Sequence, residues 1–498
     1  MTPTTPVAPQ SSAATIDSIV VEGGEHPRVV IEGVGSPGLG ALRGPRQDLP
    51  GTFEHHDGRF TATFPLLVSR WNGPPLPPPS GSYPLTLEAD VIAATPPALV
   101  VAGLLRVEVA TTDTGLAVEI SAPLEDSERG SEAQAALEAN YRRTKYAPLD
   151  AVFFESFYGQ SVTCNPLALD RELAAVRPDI TRYWSVVDAS VQVPEGSIAL
   201  IEGSADWWRI RGSARLLVVN DWLRNRFRKR SFQTVLQTWH GTPLKKIALS
   251  RPGVGLRTAL ATIRERGRWN IMLAQNPHSR SVFRSAYAYL GPIWQEGYPR
   301  DDALVDGDGA AVRRRLGIAD DVTVLLYAPT WRDDRPELVD HLDVAAFTDA
   351  LGPGYVTLIR GHSRSLRPGR DVRATNVLDV TGYPDITELF LAADALITDY
   401  SSVMFDFSVT GKPMFFFTPD LEHYREQLRG FYFDIDELAP GPVVQQAAEL
   451  VALVRDRDRV SEQYAGKYAA WQARFNPRDD GHSARRIVAR LLDRGAIG

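Results

Sequence analysis

The sequence predicts two α/β domains with parallel sheets, preceded by an all-β, sandwich-like N-terminal region. Three observations carry that expectation. From Ala151 onward, short apolar runs alternate with stretches of helical period, which calls for parallel sheets. Between Ile16 and Leu124 the period is two, with Gly- and Pro-rich turns between the runs, as in an antiparallel sandwich. Gly297-Tyr-Pro-Arg-Asp-Asp302 interrupts the α/β series and marks a hinge.

Composition limits the function classes. A 498-residue chain is too long for one core. Its net charge of −7, from 54 basic and 61 acidic residues, argues against a generally basic nucleic-acid binder. The single cysteine, Cys164, excludes an internal disulfide and a cysteine-only zinc site, suits a reducing cytoplasm, and reads as a buried apolar residue. No apolar run approaches the about 20 residues needed to span a bilayer.

In chain order, residues 1–15 read as a disordered tail rich in Pro, Thr, Ser and Ala, without the basic-then-apolar arrangement of a signal peptide. Residues 16–125 form the β region, with strand-like runs such as Arg28-Val-Val-Ile and Phe60-Thr-Ala-Thr-Phe and a rigid loop at Pro74–Gly81. Gly33-Val-Gly-Ser-Pro-Gly38 fits the dinucleotide fingerprint, but no helix opens at its third glycine, so it is a turn. Residues 126–150 are a helical connector. Strands follow at Ala151–Phe154, Ser197–Ile201, Leu216–Val219, Thr234–Gln237 and Asn270–Ala274 in the domain 151–298. The domain 299–498 takes Val322–Tyr327, Tyr355–Ile359, Val377–Val380 and Ala395–Ile397, then closing helices broken near Asn476-Pro477.

Polar residues gather where strands end, the usual place for ligands in open α/β sheets. After Thr234–Gln237 comes Trp239-His-Gly-Thr-Pro-Leu-Lys-Lys246, with Thr242 placed to cap a helix, Pro243 at its first position, and Lys245 and Lys246 in its first turn. Cations there oppose the helix dipole, which points to an anion nearby. Other strand ends offer Thr330 and Arg332, Arg360 and His362, and Thr398-Asp-Tyr-Ser-Ser402. In the last, Ser401 or Ser402 would cap the next helix. These are the donors that a phosphoryl group needs. Asp399, a carboxylate beside such a group, would orient its loop, pair with a cation or meet ribose hydroxyls. The adjacent pairs Asp301-Asp302 and Asp333-Asp334 do not ask for a metal.

At these residues the sequence resembles the CDP-glycerol glycerophosphotransferase family, the teichoic acid primases and polymerases. The resemblance runs from Glu155-Ser-Phe-Tyr-Gly159 through Gln237-Thr-Trp-His-Gly-Thr-Pro-Leu-Lys245, Gly297-Tyr-Pro-Arg300, Ala328-Pro-Thr-Trp-Arg332, the Asp385–Phe407 stretch and Arg429-Gly-Phe-Tyr-Phe-Asp434 to Asp479-Asp-Gly481. It implies a GT-B-like fold of two Rossmann-like domains with the site in their cleft. It also implies transfer of glycerol phosphate or a related polyol phosphate from a CDP-polyol donor to a hydroxyl of a lipid-linked polyol-phosphate acceptor, with release of CMP. The work would be done at the cytoplasmic membrane face, without a metal or other cofactor. On that resemblance His240 is the general base, His362 binds the pyrophosphate, and Ser401 and Ser402 hold the donor phosphates. Thr330, Arg332, Arg360, Thr398 and Asp399 would line the donor side; Thr242, Lys245 and Lys246 would meet phosphate or acceptor.

One basic stretch stands apart. Arg224, Arg226, Arg228, Lys229 and Arg230 alternate with apolar and aromatic residues, reading either as a solvated helix face or as a docking patch for anionic lipid or the polyanionic acceptor. No second basic patch supports nucleic acid. Two other functions fit the fold. A glycosyltransferase would keep the cleft but leave the Trp239–Lys245 motif unexplained; a non-catalytic wall-polymer binder would have no use for both His240 and His362.

Overall fold

The computed structural model describes residues 14–38, 40–87, 91–93, 104–112, 115–224, 226–330, 342–361, 374–423 and 430–498. They fall into two compact units: one runs to Asp126 and includes Val187–Gln192, and the other holds most of Ser127–Gly498.

The N-terminal unit has two five-stranded sheets. One orders Val91–Ala93, Ala14–Glu22, Arg28–Val34, Arg59–Pro65 and Thr52–His56; the other orders Arg106–Thr112, Gly115–Ser121, Gly81–Leu87, Gly40–Arg43 and Asp48–Pro50. Pairing is antiparallel except between Ala14–Ile16 and Val91–Ala93. Period-two alternation turns Val29, Ile31, Phe60, Ala62 and Phe64 inward from the first sheet, and they share one core with Leu42, Tyr83, Val107, Val118 and Ile120 of the second. Ala14 begins the first strand, one residue before the expected end of the tail. The Pro74–Gly81 loop contains a short ribbon, Pro75–Leu76 paired with Val68–Ser69. Gly33 lies within a strand, where a Cβ would sit 2.0 Å from the Thr15 carbonyl oxygen, so close packing and not nucleotide binding requires glycine.

After a connecting helix, Gly130–Arg143, the second unit carries two parallel sheets. The first is built from β1 (Leu149–Glu155), β2 (Thr181–Val186), β3 (Ser197–Ile201), β4 (Ala214–Val219), β5 (Thr234–Gln237), β6 (Ile271–Ala274) and β7 (Ile293–Gln295) in the order β3-β2-β1-β4-β5-β6-β7. The second, β8 (Thr323–Ala328), β9 (Tyr355–Ile359), β10 (Val377–Asp379), β11 (Ala395–Thr398), β12 (Met414–Phe417) and β13 (Val443–Val444), is ordered β10-β9-β8-β11-β12-β13. Both follow the doubly wound pattern, whose order reverses beside the first strand and opens a crevice there at the strands' carboxyl ends. Those crevices lie between β1 and β4 and between β8 and β11. Central strands such as Ala395–Thr398 are buried throughout, as a sheet covered on both faces requires.

The closing helix Ser483–Asp493 does not stay with the second sheet. Its Ala484, Ile487, Val488 and Leu491 pack into the core of the first, beside Val152, Phe154 and Leu216. Asp302, the last residue of the hinge, accepts from the backbone N–H groups of Ser483 (2.8 Å) and Ala484 (2.7 Å) at the start of that helix.

Candidate active site

The first crevice is built from three strand ends. Asn220, directly after β4, is completely buried. Its side-chain oxygen accepts from the Phe157 N–H beyond β1 (2.8 Å), and its main-chain carbonyl lies 2.7 Å from His240 Nδ1 beyond β5. A carbonyl can only accept, so Nδ1 carries a proton and the neutral ring keeps its lone pair on Nε2. The imidazole stacks on Trp239 at 4.8 Å and meets Phe157, tilted by 54°, at 5.4 Å, so two aromatic contacts hold the ring. Phe157 (φ 46°), Tyr158 (φ 56°) and Trp239 (φ 57°) all have left-handed backbone. Such residues cost on the order of 1–3 kcal/mol each and persist where the surroundings impose them, characteristically at functional sites. Gly241 (φ 157°) comes so close to the second half that an added Cβ would lie 2.8 Å from Ser402 Oγ.

In the second crevice Asp399 settles its loop. Its carboxylate accepts from the Thr330 N–H (2.9 and 3.0 Å) and from the Tyr400 N–H, tying the turn after β8 to the turn after β11. Thr398 is fully buried and donates to the Ala328 carbonyl (2.7 Å), so it braces the same two strand ends and does not face the crevice. Ser402 occupies the N-cap position of the five-residue helix Val403–Phe407 but makes no side-chain cap bond, contrary to the expected cap. Ser401 and Ser402 stay half-buried at the turn beside Gly241. The Arg360 guanidinium donates to the carbonyls of Val380 (2.9 Å) and Tyr383, and burial lowers its pKa to about 10. His362, Arg332 and the pair Asp333-Asp334 lie outside the described residues.

The segment after His240 departs most from expectation. No helix starts at Thr242. The chain runs extended, pairing Lys245 with Phe431 in an antiparallel bridge, with Tyr432 N–H donating to the Leu244 carbonyl (2.8 Å) and Lys246 N–H to that of Gly430 (3.1 Å). Thr242 is completely buried: it donates to Gln275 (2.6 Å), accepts from Asn276 (2.8 Å), and is an anchor for the loop instead of a phosphate contact. Lys245 and Lys246 therefore sit on a strand-like tie between the two halves, half-buried, and not at a helix dipole.

A buried ion cluster makes a second tie. Arg300 donates to Asp406 through Nε (3.0 Å) and Nη2 (2.7 Å), and its Nη1 lies 3.1 Å from Cys164 Sγ. Burial by itself would lower the guanidinium's pKa, but Asp406, with Cys164, Asp301 and Tyr298, outweighs it and keeps the charge. Next to it, Gln275 Nε2 donates to both Asp301 and Asp479 (2.9 Å each). Burial raises both carboxyl groups, Asp301 far above the carboxylate range and Asp479 to about 7, with Asp406 adding to each. Asp301 and Asp302 thus do different structural work, and among the described residues no group of three or more His, Cys, Asp or Glu is arranged to hold a metal ion. Asn220, Asp406 and Asp479 were not singled out as site residues from sequence, although Asp406, Asp479 and the Gly297–Arg300 motif lay within the resemblance. Asn220's position directly after a predicted strand was the available signal.

The basic stretch is not a solvated helix. Arg226 pairs with Glu202 (3.0 Å) and lies over Trp208; Arg228 donates to the Arg142 carbonyl (2.6 Å); Lys229 to that of Arg268 (3.2 Å); Arg230 to that of Tyr141. Arg224 stacks on Tyr158 at 3.6 Å. These cations strap the connector helix and the first crevice together, while Arg224 and Arg228 stay exposed.

Residues 139–493 match the family described as CDP-glycerol:poly(glycerophosphate) glycerophosphotransferase. The chain is 34% identical over 360 residues to a teichoic acid poly(glycerol phosphate) polymerase of Bacillus subtilis, covering 68% of this chain and 48% of that protein. It is 34% identical over 369 residues to a teichoic acid glycerol-phosphate transferase of Staphylococcus aureus, covering 68% of this chain and 92% of the relative. The chain thus spans about half of the Bacillus polymerase but nearly all of the Staphylococcus transferase. Among solved structures, the wall teichoic acid polymerase TagF superposes with a TM-score of 0.67 at 31% identity, over 72% of this chain and 93% of that one. The chain belongs to the CDP-glycerol:poly(glycerophosphate) glycerophosphotransferase family.

Proposed function

We propose that the protein transfers glycerol phosphate, or a related polyol phosphate, from a CDP-polyol to a hydroxyl of a teichoic-acid-like acceptor. The observation that carries this reading is the His240 hydrogen bond to the Asn220 carbonyl, which leaves Nε2 as a base in a crevice that touches the second half through Gly241 and Ser402. In the reaction, Nε2 takes the proton of the acceptor alcohol as its oxygen attacks the β-phosphorus. The bond from that phosphorus to the bridging oxygen breaks, and the bridging oxygen leaves with CMP. The products are a phosphodiester, CMP and a proton handed on to solvent, so the atoms balance.

Donor phosphates are assigned to the turn at Ser401 and Ser402 and to the backbone around Thr330, with Asp399 holding both loops. The role of His362 on the pyrophosphate rests on the resemblance alone, and that of Arg332 on its place at a strand end in the sequence. Arg360, bonded to two carbonyls, is assigned to positioning that loop. No metal enters the proposed mechanism; turnover unchanged by a chelator supports that, and loss restored by a divalent cation overturns it. The acceptor is lipid-linked in this reading, so the enzyme works at a membrane face.

The test is CMP release from CDP-glycerol in the presence of a glycerol-phosphate-primed lipid. Wild type should release CMP, and His240→Ala should lose about 10²–10⁴-fold, the usual contribution of a general base. No release above the variant with any CDP-polyol removes the transferase reading. CDP-glycerol, CDP-ribitol and CDP-sugars compared side by side identify the donor and separate this reading from a glycosyltransferase.

A further inference from the structure

Beside His240 the backbone carries more strain than holding the imidazole requires. After β1, Phe157 (φ 46°), Tyr158 (φ 56°) and Gly159 (φ 76°) are all left-handed, and so is Arg224 (φ 60°) in the loop after β4. Phe157 packs on the imidazole, and at Gly159 a Cβ would lie 3.2 Å from the Ser185 carbonyl oxygen. Tyr158 and Arg224 have another use, because they meet each other. The Arg224 guanidinium carbon lies 3.6 Å from the centre of the Tyr158 ring, a stacking distance for a cation on an aromatic face. The loop is anchored at its backbone: Arg224 N–H donates to Glu265 (3.2 Å), and Asn220, four residues earlier, accepts from Phe157 N–H (2.8 Å). Base and stacked pair therefore stand on the same strand ends. The neighbouring cations are engaged, Arg226 with Glu202 and Lys229 and Arg230 with main-chain carbonyls. Arg224 is exposed, and among the described residues it forms no ion pair. Stacking covers the guanidinium's face, but its N–H donors lie in the plane and point outward, the geometry that grips a phosphate through two parallel bonds. Burial, with the Asp221 carboxylate, pushes the Tyr158 hydroxyl up to about 12, so the ring stays neutral beneath the cation.

We propose that Arg224, stacked on Tyr158, is a specificity-determining contact for the acceptor. It takes the phosphodiester that joins the chain to its terminal polyol, whose free hydroxyl lies at His240, and so selects an anionic chain over a neutral alcohol. The proposal rests on the transferase reading, which puts that hydroxyl at Nε2 and the donor phosphates on the second half. In a polyol-phosphate chain only the polyol carbons separate the phosphodiester from the terminal hydroxyl. A base and a cation that serve the two groups must then be neighbours, as the ends of β1, β4 and β5 make them. An arginine that merely braced its loop would be tied to carbonyls, as Arg230 is, and would not need its charge at the surface.

The experiment measures, by calorimetry and without donor, binding of a soluble glycerol phosphate trimer and of the same trimer with its phosphates methylated to neutral triesters. Arg224→Asn removes the cation with a residue that accepts left-handed backbone. Wild type should prefer the charged trimer. The variant should bind it at least about tenfold more weakly, and no better than the neutral one, the loss expected of a charge-assisted hydrogen bond. In turnover its acceptor KM should rise by a similar factor while the donor KM stays. A variant that binds the charged trimer as wild type does, or that loses both trimers equally, overturns the proposal, as does a donor KM that rises in step. Should Arg224→Asn melt early, Arg224→Lys decides: it keeps the charge and should keep the preference for the charged trimer, and a stably folded lysine variant without that preference overturns the proposal. The two readings fail separately. Arg224-dependent trimer binding by a protein that releases no CMP from any CDP-polyol removes transfer but keeps the chain-binding contact. CMP release with an unchanged acceptor KM in Arg224→Asn removes the contact but keeps transfer.

Discussion

The two α/β halves share one strand order and one crevice position, yet they prepare those crevices by opposite means. In the first, aromatic residues in left-handed backbone hold a histidine whose tautomer is set by a main-chain carbonyl. In the second, a carboxylate and a buried threonine hold two turns together through main-chain bonds, leaving backbone and hydroxyl groups at the opening. The difference matches what the proposed reaction would ask of each side. A proton acceptor has to be oriented at one nitrogen, so strain and stacking are tolerated around it. A phosphate site needs several donors held still, and hydrogen bonds between neighbouring turns do that without a reactive group.

The sharpest way to break this comparison is His240→Ala. If the reactive group belongs to the first half alone, CMP release should fall by about 10²–10⁴-fold with the protein's melting point unchanged. A variant that keeps near-wild-type turnover would shift the base to the second half and dissolve the contrast. Next in size is the tie between halves. Asp406→Asn leaves Arg300 buried beside a neutral partner, and removing one member of a buried pair costs about 3–5 kcal/mol. Denaturant unfolding should show that loss, while a deficit below 1 kcal/mol would mean that the halves are held mainly by the Lys245–Phe431 bridge and the closing helix. Asp399→Asn is subtler. It keeps one acceptor oxygen but not both, so the donor KM should rise about tenfold with a smaller change in kcat, the pattern of lost binding without lost chemistry. An equal fall in kcat and kcat/KM would instead place Asp399 in the transition state.

Much of this was legible locally. The strands Ser197–Ile201, Thr234–Gln237 and Tyr355–Ile359 stand where their short runs predicted, whether central and buried, as Thr234–Gln237, or at a sheet edge and partly exposed, as Ser197–Ile201. Thr181–Val186 was missed because Arg182 interrupts it, a charge neutralised only by Asp170 from another element (3.2 Å). Ile293–Gln295 and Val443–Val444 are too short to carry a period. The site divides the same way. His240 and the Thr398–Ser402 turn followed from the rule that ligands sit at strand ends, but the fate of Thr242-Pro-Leu-Lys-Lys246 was decided by a strand partner nearly two hundred residues away. Helix propensity at a capped proline lost to that tertiary pairing. The cations of 226–230 likewise read as a surface because their carbonyl and carboxylate partners lie on distant elements.

The smallest effect tests the seam between the halves through pH. Asp479 accepts from Tyr298 N–H of the hinge (2.8 Å), from Gln275 of the first half, and from Asn476 (3.1 Å), and burial holds its pKa at about 7. In the unfolded chain a free aspartate has a pKa near 3.9. Between those values the folded protein binds a proton that the unfolded chain has released, so ν for the unfolded state is the smaller and stability declines as pH rises. The contribution is fully present below about pH 4, is lost progressively as pH rises towards 7, and has a slope of at most about 1.4 kcal/mol per pH unit. Asp479→Asn cannot titrate. It should be less stable at low pH, where an amide replaces a well-bonded acid, but its unfolding free energy should change less steeply with pH between 4 and 7. Melts at half-unit intervals for both proteins give the two slopes. Equal slopes would mean that Asp479 is ionised throughout, and that the seam holds its negative charge against Arg300 instead of sharing a proton.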